Sequence, residues 1–505
     1  MIHSRYSVII VGAGIAGSIA ALRLSELRPD LSILMISKGA LSECSSQLAQ
    51  GGIAIPCADV EGDLESHFHD TLVAGNMKGD PHTVREILVS APKLVAYLEG
   101  LGIDFDRTSD DHYHYVLEGG HYRPRVIHTS DATGATIMST VHEALGWAST
   151  ITVREGMRLI ALRYNDDDQW VLEINHSASN KTYVVHARYV ILAMGGSGNA
   201  FGYSSNLPTA IGDAVNLAMS LDLPLKDLQW MQFHPTLLVT SGDQASRPLI
   251  TEALRGAGAY LVNNKGQRFV KCCDERGELA PRDVVSAAMI QEMELTETDH
   301  VYLDCRHLST VMLSRRFPGF LDLCSRELLD PSTDLIPVRP GAHYQCGGID
   351  AGCDGKTSQQ GLFAIGECAR TGMHGSNRLA SNSLLEAGVT ALNAAECIST
   401  TAPPMNSIIT EAPSPERQNM GSDSTSDPHL HAQLRELRLL LHRVALDESK
   451  HRHIESLAQL VADIETKEST DAMNRNDLHD ARTLAGYARA YLQAIESHQQ
   501  TTTTA

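Results

Sequence analysis

Residues 6–17 read YSVIIVGAGIAG. Val8, Ile9, Ile10 and Val11 are all β-branched and too few for a helix, so they predict a short buried parallel strand. Gly12, Gly14 and Gly17 follow at the spacing G-x-G-x-x-G. The first glycine allows a tight turn, the second lets backbone approach a pyrophosphate, and the third lets the next helix pack on the strand. Helical spacing over residues 15–27 and a second strand at 32–36 complete a βαβ unit. The start of that helix offers N–H groups and a positive dipole end to phosphate. The pattern predicts a dinucleotide site. An acidic residue often ends the second strand and holds the adenosine ribose. Here Ser37 and Lys38 stand at that place. A serine can hydrogen-bond a ribose and a lysine can meet a phosphate, so NAD is not specified and FAD stays open.

The chain has 505 residues, enough for two or three domains with large cores. A net charge of -20 argues against nucleic acid and anionic membrane surfaces as partners. No apolar run approaches the roughly 20 residues that span a bilayer. The N-terminal apolar run leads straight into the glycine turn without a small-residue cleavage site, so it is read as a strand and not a signal peptide. The expected location is cytoplasmic. The ten cysteines are scattered and form no C-x-x-C pair, so reduced thiols are expected and metal sites are not.

Residues 42–55, SECSSQLAQGGIAI, are small and glycine-paired, suited to lie against a flat ligand. Helical spacing recurs over 67–72 and 81–101, and His67 and His69 are expected to face solvent. Residues 118–134, EGGHYRPRVIHTSDATG, concentrate Glu118, His121, Arg123, Arg125, His128 and Asp131 in an irregular segment, which points to a site. Strands are expected within 152–173 and 181–194, and a helix over 211–221 with Asp213 near its start. From residue 229 the segments QFHPT, TEALRGAGAYL, DERGELAPRD and HYQCGGI bring histidines and arginines together in what looks like an inserted domain. GLFAIGE (361–367) reads as a buried strand, and HGSNRLASNSLLEAGVTALNAAE (374–396) as a polar turn feeding a helix. Residues 401–429 are rich in Pro, Ser, Thr and Asp and read as a linker. Residues 430–498 read as a helical domain, with Leu434, Leu437, Leu440 and Leu441 on its apolar face, and TTTTA reads as a frayed tail.

Taken together and in this order, the QFHPT, TEALRG, ERGELAPRD, HYQCGG and GECARTGMHGSNRLASNSLLE segments resemble the succinate dehydrogenase/fumarate reductase flavoprotein family, over about residues 6–400. The resemblance implies an α/β fold: a Rossmann-like FAD-binding domain at 1–228 and 344–400, an inserted α+β capping domain at 229–343, and a C-terminal helical domain. It implies FAD held by Gly12, Ala13, Gly14, Ile15, Ala16 and Gly17 at the pyrophosphate. Lys38 and Ser45, Ser46, Gln47, Leu48, Ala49, Gln50, Gly51 and Gly52 are implied along the ribityl and flavin. Asp213, Glu367, Ser383 and Leu384 complete that set. A four-carbon dicarboxylate would sit between His234, Thr251, Arg282, His343 and Arg378.

Guanidinium groups match the two carboxylates of such a substrate. Glu118, in the EGGH loop, would pair with an ammonium that a plain dicarboxylate lacks, which favours the aspartate-oxidising branch of the family. That branch implies oxidation of L-aspartate to iminosuccinate, with oxygen or fumarate as acceptor. Its product would pass to quinolinate synthase for NAD formation. The family assigns Arg282 proton transfer beside the flavin; a guanidinium is a poor base in water, so it is read as a relay end or an electrostatic stabiliser. His234, His343 and Glu118 complete the catalytic set. In succinate dehydrogenases a histidine shortly before AQGG carries FAD covalently. Ser45, Ser46, Gln47 and Leu48 precede Ala49 here, so FAD is expected to be non-covalent. The alternatives are a soluble fumarate reductase and a silent FAD-binding protein.

Overall fold

A computed structural model of the chain describes residues 3–130, 132–240, 246–402, 428–446, 451–466 and 475–503. The chain starts with β1 (His3–Val11), α1 (Ile15–Leu27), β2 (Ile33–Ile36) and β3 (Ile53–Ala54). It continues with α2 (Asp63–Ala74), α3 (Pro81–Gly100), β4 (Val126–Ile127) and α4 (Thr133–Trp147). β5 (Ile151–Arg154), β6 (Met157–Tyr164), β7 (Trp170–His176), β8 (Lys181–Leu192) and α5 (Asp213–Ser220) follow.

A seven-stranded sheet runs β5-β2-β1-β8-β7-β6. β1, β2, β5 and β8 pair in parallel, whereas β6 and β7 form an antiparallel extension. Besides β1, β8 serves two partners. Its first half pairs with β7, and its second half pairs in parallel with a strand returning from far along the chain, Leu362–Ala364. Alternation along β1 explains the layers. Val8 and Ile10 enter a core with α1, α3 and α4, while Ile9 and Val11 enter another with Trp170, Leu172 and Leu217. Helix α1 is buried on nearly every side because it also packs on the helix Asn382–Thr401. Helix α3 starts where Asp80 accepts hydrogen bonds from the N–H groups of His82 and Thr83, with Pro81 in its first turn.

A second sheet, four-stranded and antiparallel, joins Met231–Leu238, Ile336–Gln345, Val301–Asp304 and Tyr260–Val262. The helix Arg282–Leu295 packs on it, around a separate apolar core. The ladder slips on either side of Phe233-His234, where Pro235 provides no N–H. Such irregularities re-aim side chains. Three further helices, Pro428–Leu446, His451–Glu465 and Arg475–Thr503, form a bundle whose core continues onto Phe201, Ile211, Val215 and Phe233. The architecture is thus a Rossmann-like sheet, an α+β unit inserted into it, and a helical C-terminal region. No helix among the described residues is long and apolar enough to cross a membrane.

Two expectations fail. His67 is buried, not solvent-facing, because Asn382 meets its Nε2 at 2.9 Å; His69 is exposed as expected. The tail expected to fray continues the last helix to Thr503. The expected linker falls mainly on residues 403–427, and Asp131 with it lies outside the described residues.

Candidate active site

Parallel strands end on one side of the first sheet, and ligands of such sheets bind there. A cavity of about 610 Å³ opens at that edge and reaches the inserted sheet. Its first wall is the turn after β1. Gly12 has φ +113°, and a Cβ there would stand 2.0 Å from the carbonyl oxygen of Ala193. Gly14, Ile15 and Ala16 line the cavity, as do Ala13 and Gly12. Gly17 does not. A Cβ on Gly17 would meet the Gly12 carbonyl oxygen at 2.0 Å, so this glycine seats α1 against the turn. Ser46 faces α1 and accepts a hydrogen bond from Ile15 N–H at 3.1 Å. Ser45, Leu48, Ala49, Gln50, Gly51 and Gly52 line the same wall, whereas Gln47 does not: residues 45–48 form a single 3-10 turn, which points one side chain off the wall.

Lys38, expected along the ribityl and flavin, lines the cavity. It follows β2 directly, at the position where a Rossmann site meets the adenosine ribose. There its ammonium binds Asp213 at 2.7 Å and the carbonyl of Thr209 at 2.7 Å. Arg158 donates to the other carboxylate oxygen of Asp213 at 2.7 Å. Burial opposes ionisation of Asp213, but Lys38 and Arg158 outweigh it and hold the carboxyl below its usual range. Asp213 thus places a carboxylate beside the end of β2, where Ser37 and Lys38 stand. Glu367, Ser383 and Leu384 close this wall. Burial pushes Glu367 up to about 7 although it accepts the N–H of Gln345 at 3.0 Å.

Glu118, His234, Thr251, Arg282, His343 and Arg378 all face the other end of the cavity. The slipped ladder turns His234 inward. Thr236 N–H donates to its Nδ1 at 3.2 Å, which leaves the proton on Nε2. That Nε2 is buried and has no partner among the described residues. Arg378 donates to His343 Nε2 at 3.1 Å, so the His343 proton sits on Nδ1 and faces Ser205 Oγ at 2.7 Å. Burial and neighbouring arginines push both histidines well below their ordinary range, so both are neutral at pH 7.

Arg282 donates to Glu252 at 2.8 Å and to Gln232 at 3.2 Å. Glu252 in turn meets Arg255, which lies one helical turn on, at 3.2 Å. Burial opposes the Glu252 anion, but Arg282 and Arg255 outweigh it. Glu252 lines the cavity, and sequence reasoning passed over it. Its spacing to Arg255, i to i+3 within TEALRG, was the available signal. Gln232 was also passed over. Its amide accepts from Arg282 and donates to Asn377 and the Arg378 carbonyl, both at 2.6 Å, so it ties the two arginines together.

The 118–134 segment divides. Among its described residues, Glu118 alone lines the cavity. Ser381 donates to it at 2.6 Å, and burial still pushes its carboxyl above the usual range. Gly119 is required beside it, because a Cβ there would stand 1.8 Å from Glu252 Oε1. Arg125 is a scaffold residue: Asp63 and Asp70 of α2 claim its fully buried guanidinium. His121 is buried behind Glu118, between Arg125 and the Ala380 carbonyl. His128 pairs with His114, and Arg123 lies over the Tyr122 ring.

The sequence matches the FAD binding domain family over residues 7–384. It is 40% identical over 385 residues to the L-aspartate oxidase of Streptomyces coelicolor, covering 75% of this chain and 66% of that protein. It is 39% identical to the L-aspartate oxidase of Mycobacterium leprae, covering 75% and 71%. For that of Acinetobacter baylyi the values are 37% identity, 78% and 73%. Among solved structures, E. coli quinol fumarate reductase superposes with a TM-score of 0.86 at 27% identity, covering 98% of this chain and 89% of that one. Mycobacterium smegmatis Sdh1 superposes with 0.77 at 26% identity, covering 98% and 87%.

Proposed function

The chain belongs to the L-aspartate oxidases, within the FAD-binding flavoproteins, and on that premise we propose that it converts L-aspartate to iminosuccinate and passes the electrons to oxygen or fumarate. The observation that carries the reading is a cavity with a dinucleotide cradle at one end and, at the other, two buried arginines, an unpartnered His234 Nε2 and the buried Glu118.

The residues fit FAD. Glycine at position 12 keeps side-chain atoms out of the cradle, the first turn of α1 faces the cavity, and Asp213 offers a ribose an acceptor. The first cradle wall, Ser45 to Gly52, and Glu367, Ser383 and Leu384 would hold the remainder. When bound, FAD supplies the acceptor for the substrate's hydride. The chain's residues do the rest. Arg378 and Arg282 receive the two carboxylates, and His234 Nε2–H and Thr251 fix remaining oxygens. Glu118 meets the ammonium, whose charge offsets the burial of this carboxylate. The ammonium loses one proton as the C–H bond breaks. Arg282, Glu252 and Arg255 form a buried chain along which a proton can pass. Enclosure of these groups excludes water and strengthens each charge interaction.

Ser45, Ser46, Gln47 and Leu48 offer no histidine before Ala49, which supports flavin held without a covalent bond. An anaerobic flavin spectrum tests the proposal. L-Aspartate is expected to bleach the flavin, succinate is not, and acid denaturation releases all of it. Bound flavin that aspartate fails to bleach overturns the reading.

A soluble fumarate reductase is the second reading, favoured by the superposition on quinol fumarate reductase. Glu118→Gln separates the two. Loss of a charge-assisted contact is expected to lower kcat/KM for aspartate by about 10- to 100-fold, while fumarate reduction by the dithionite-reduced protein is unchanged. Equal loss in both reactions would favour the reductase. Iminosuccinate hydrolyses readily, which supports immediate use by quinolinate synthase in NAD formation, in the cytoplasm.

A further inference from the structure

The far end of the dinucleotide cradle is held from outside the Rossmann-like sheet. Arg158, on β6, lines the cavity and grips Asp213 through two nitrogens, Nε at 3.1 Å and Nη2 at 2.7 Å, both onto Oδ1. Its third nitrogen, Nη1, binds Asp480. Asp480 belongs to the last helix, Arg475–Thr503, beyond the stretch that matches the FAD binding domain family. The same helix presses on the turn that begins α5. A Cβ on Gly212 would stand 2.6 Å from the Tyr487 ring, and one on Gly486 would stand 2.2 Å from Asn216 Oδ1. Glycine at both crossing points brings the last helix onto the turn that presents Asp213.

We propose that Asp480 is a positioning residue for the adenosine half of FAD, so that docking of the last helix and retention of FAD are coupled. Asp213 has two cations to serve, Lys38 on Oδ2 and Arg158 on Oδ1. Its use to a ribose is to accept hydroxyl hydrogen bonds, which requires an oxygen held at a fixed angle. Asp480 fixes the guanidinium plane of Arg158 and takes part of its charge. Without Asp480, Arg158 is free to turn onto both oxygens of Asp213 and compete with the ribose. Asp480 does not itself line the cavity and is half-exposed, so its carboxylate is not needed to fill a core. Coupling between sites is reciprocal: if the last helix fixes the ligand, the ligand fixes the last helix.

The inference rests on FAD occupying the cavity, and the experiment separates the two. Wild-type, Asp480→Asn, Asp480→Glu and Arg489→Gln proteins are stripped of flavin and titrated with FAD, ADP and FMN. Arg489 pairs with Glu465 of the neighbouring helix, so it controls for damage to the bundle. Asp480→Asn is expected to raise the Kd for FAD and for ADP by about tenfold each, with FMN binding and the melting temperature of the apoprotein unchanged. Asp480→Glu should recover most of the loss, and Arg489→Gln should show none. Wild-type apoprotein that takes up no FAD would defeat the cofactor reading. Normal uptake with an unchanged Kd in Asp480→Asn, or equal losses for ADP and FMN with a lowered melting temperature, would overturn the coupling alone. Should Asp480→Asn fail to fold, the wild type decides. ADP is expected to slow tryptic cleavage at Arg482 and Arg489 and FMN is not; no slowing by ADP overturns the proposal.

Discussion

Arg378→Leu is expected to raise the Kd for L-aspartate by roughly 30- to 1000-fold, equivalent to about 2–4 kcal/mol. Arg378 is only 4% exposed. Its nitrogens donate to His343 and to the Leu379 carbonyl, its Cζ lies 4.7 Å from the centre of the Tyr344 ring, and its Nε has no partner among the described residues. Among the described residues no carboxylate lies within ion-pair distance of it. Glu118 acts on it only from beyond ion-pair distance, so this buried cation is incompletely compensated, and burial together with the adjacent Arg282 pulls its guanidinium down to about 10. At pH 7 it is still charged, so the site is built with a missing anion. A substrate carboxylate supplies that anion. The prediction therefore has two signs. Substrate binding should weaken strongly, and the ligand-free protein should melt no earlier than wild type, because leucine removes a buried charge that has no ion-pair partner among the described residues and is only partly offset by Glu118. Succinate, which has the same carboxylates, should weaken in parallel when it competes. Flavin perturbation spectra under anaerobic conditions give both constants. An unchanged Kd, or a fall in melting temperature as large as the loss of binding, would place the substrate elsewhere.

Much of this arrangement was legible from local pattern, and the failures share a cause. The strand, glycine turn and helix of residues 6–27 declare themselves because apolar period and turn chemistry act over a few residues. His67 was misjudged because its partner, Asn382, is 315 residues away and helical spacing carries no trace of it. Arg125 looked like a site residue since a loop dense in charges resembles one, yet Asp63 and Asp70 had already claimed it. Lys38 was placed along the flavin by family likeness. The partner it binds, Asp213, is reached only through the fold. Glu252 was nearer to hand, since its spacing to Arg255 is a helical one. What no spacing discloses is that Glu252 also meets Arg282 from another helix, and that Gly119 leaves room for it. Asp480 is the extreme case. Nothing in the helical pattern of the last segment distinguishes it from a solvated carboxylate, and its role depends on a partner 322 residues earlier.

The same reasoning gives the largest expected loss of turnover. Arg282→Gln should slow flavin bleaching by L-aspartate by about 10³-fold while the Kd for aspartate rises far less. Arg282 starts its helix and is held from two directions, by Glu252 and by Gln232. Gln232 also holds the Arg378 carbonyl, so it links the two arginines before substrate arrives. Glutamine in place of Arg282 can retain a contact to Gln232 and can still hydrogen-bond a carboxylate, which limits the binding loss. It carries no charge to balance what develops as the C–H bond breaks, and it ends the proton chain at Glu252. Its removal also leaves Glu252 with Arg255 alone, so part of the support for that buried anion disappears. Arg282→Lys should recover little, because an ammonium cannot reach Glu252, Gln232 and the substrate in one plane as the guanidinium does. Stopped-flow measurement of the reductive step at saturating aspartate separates rate from affinity. A variant whose rate is near wild type while its Kd climbs would make Arg282 a binding residue only, and would move the proton step away from the Glu252 chain.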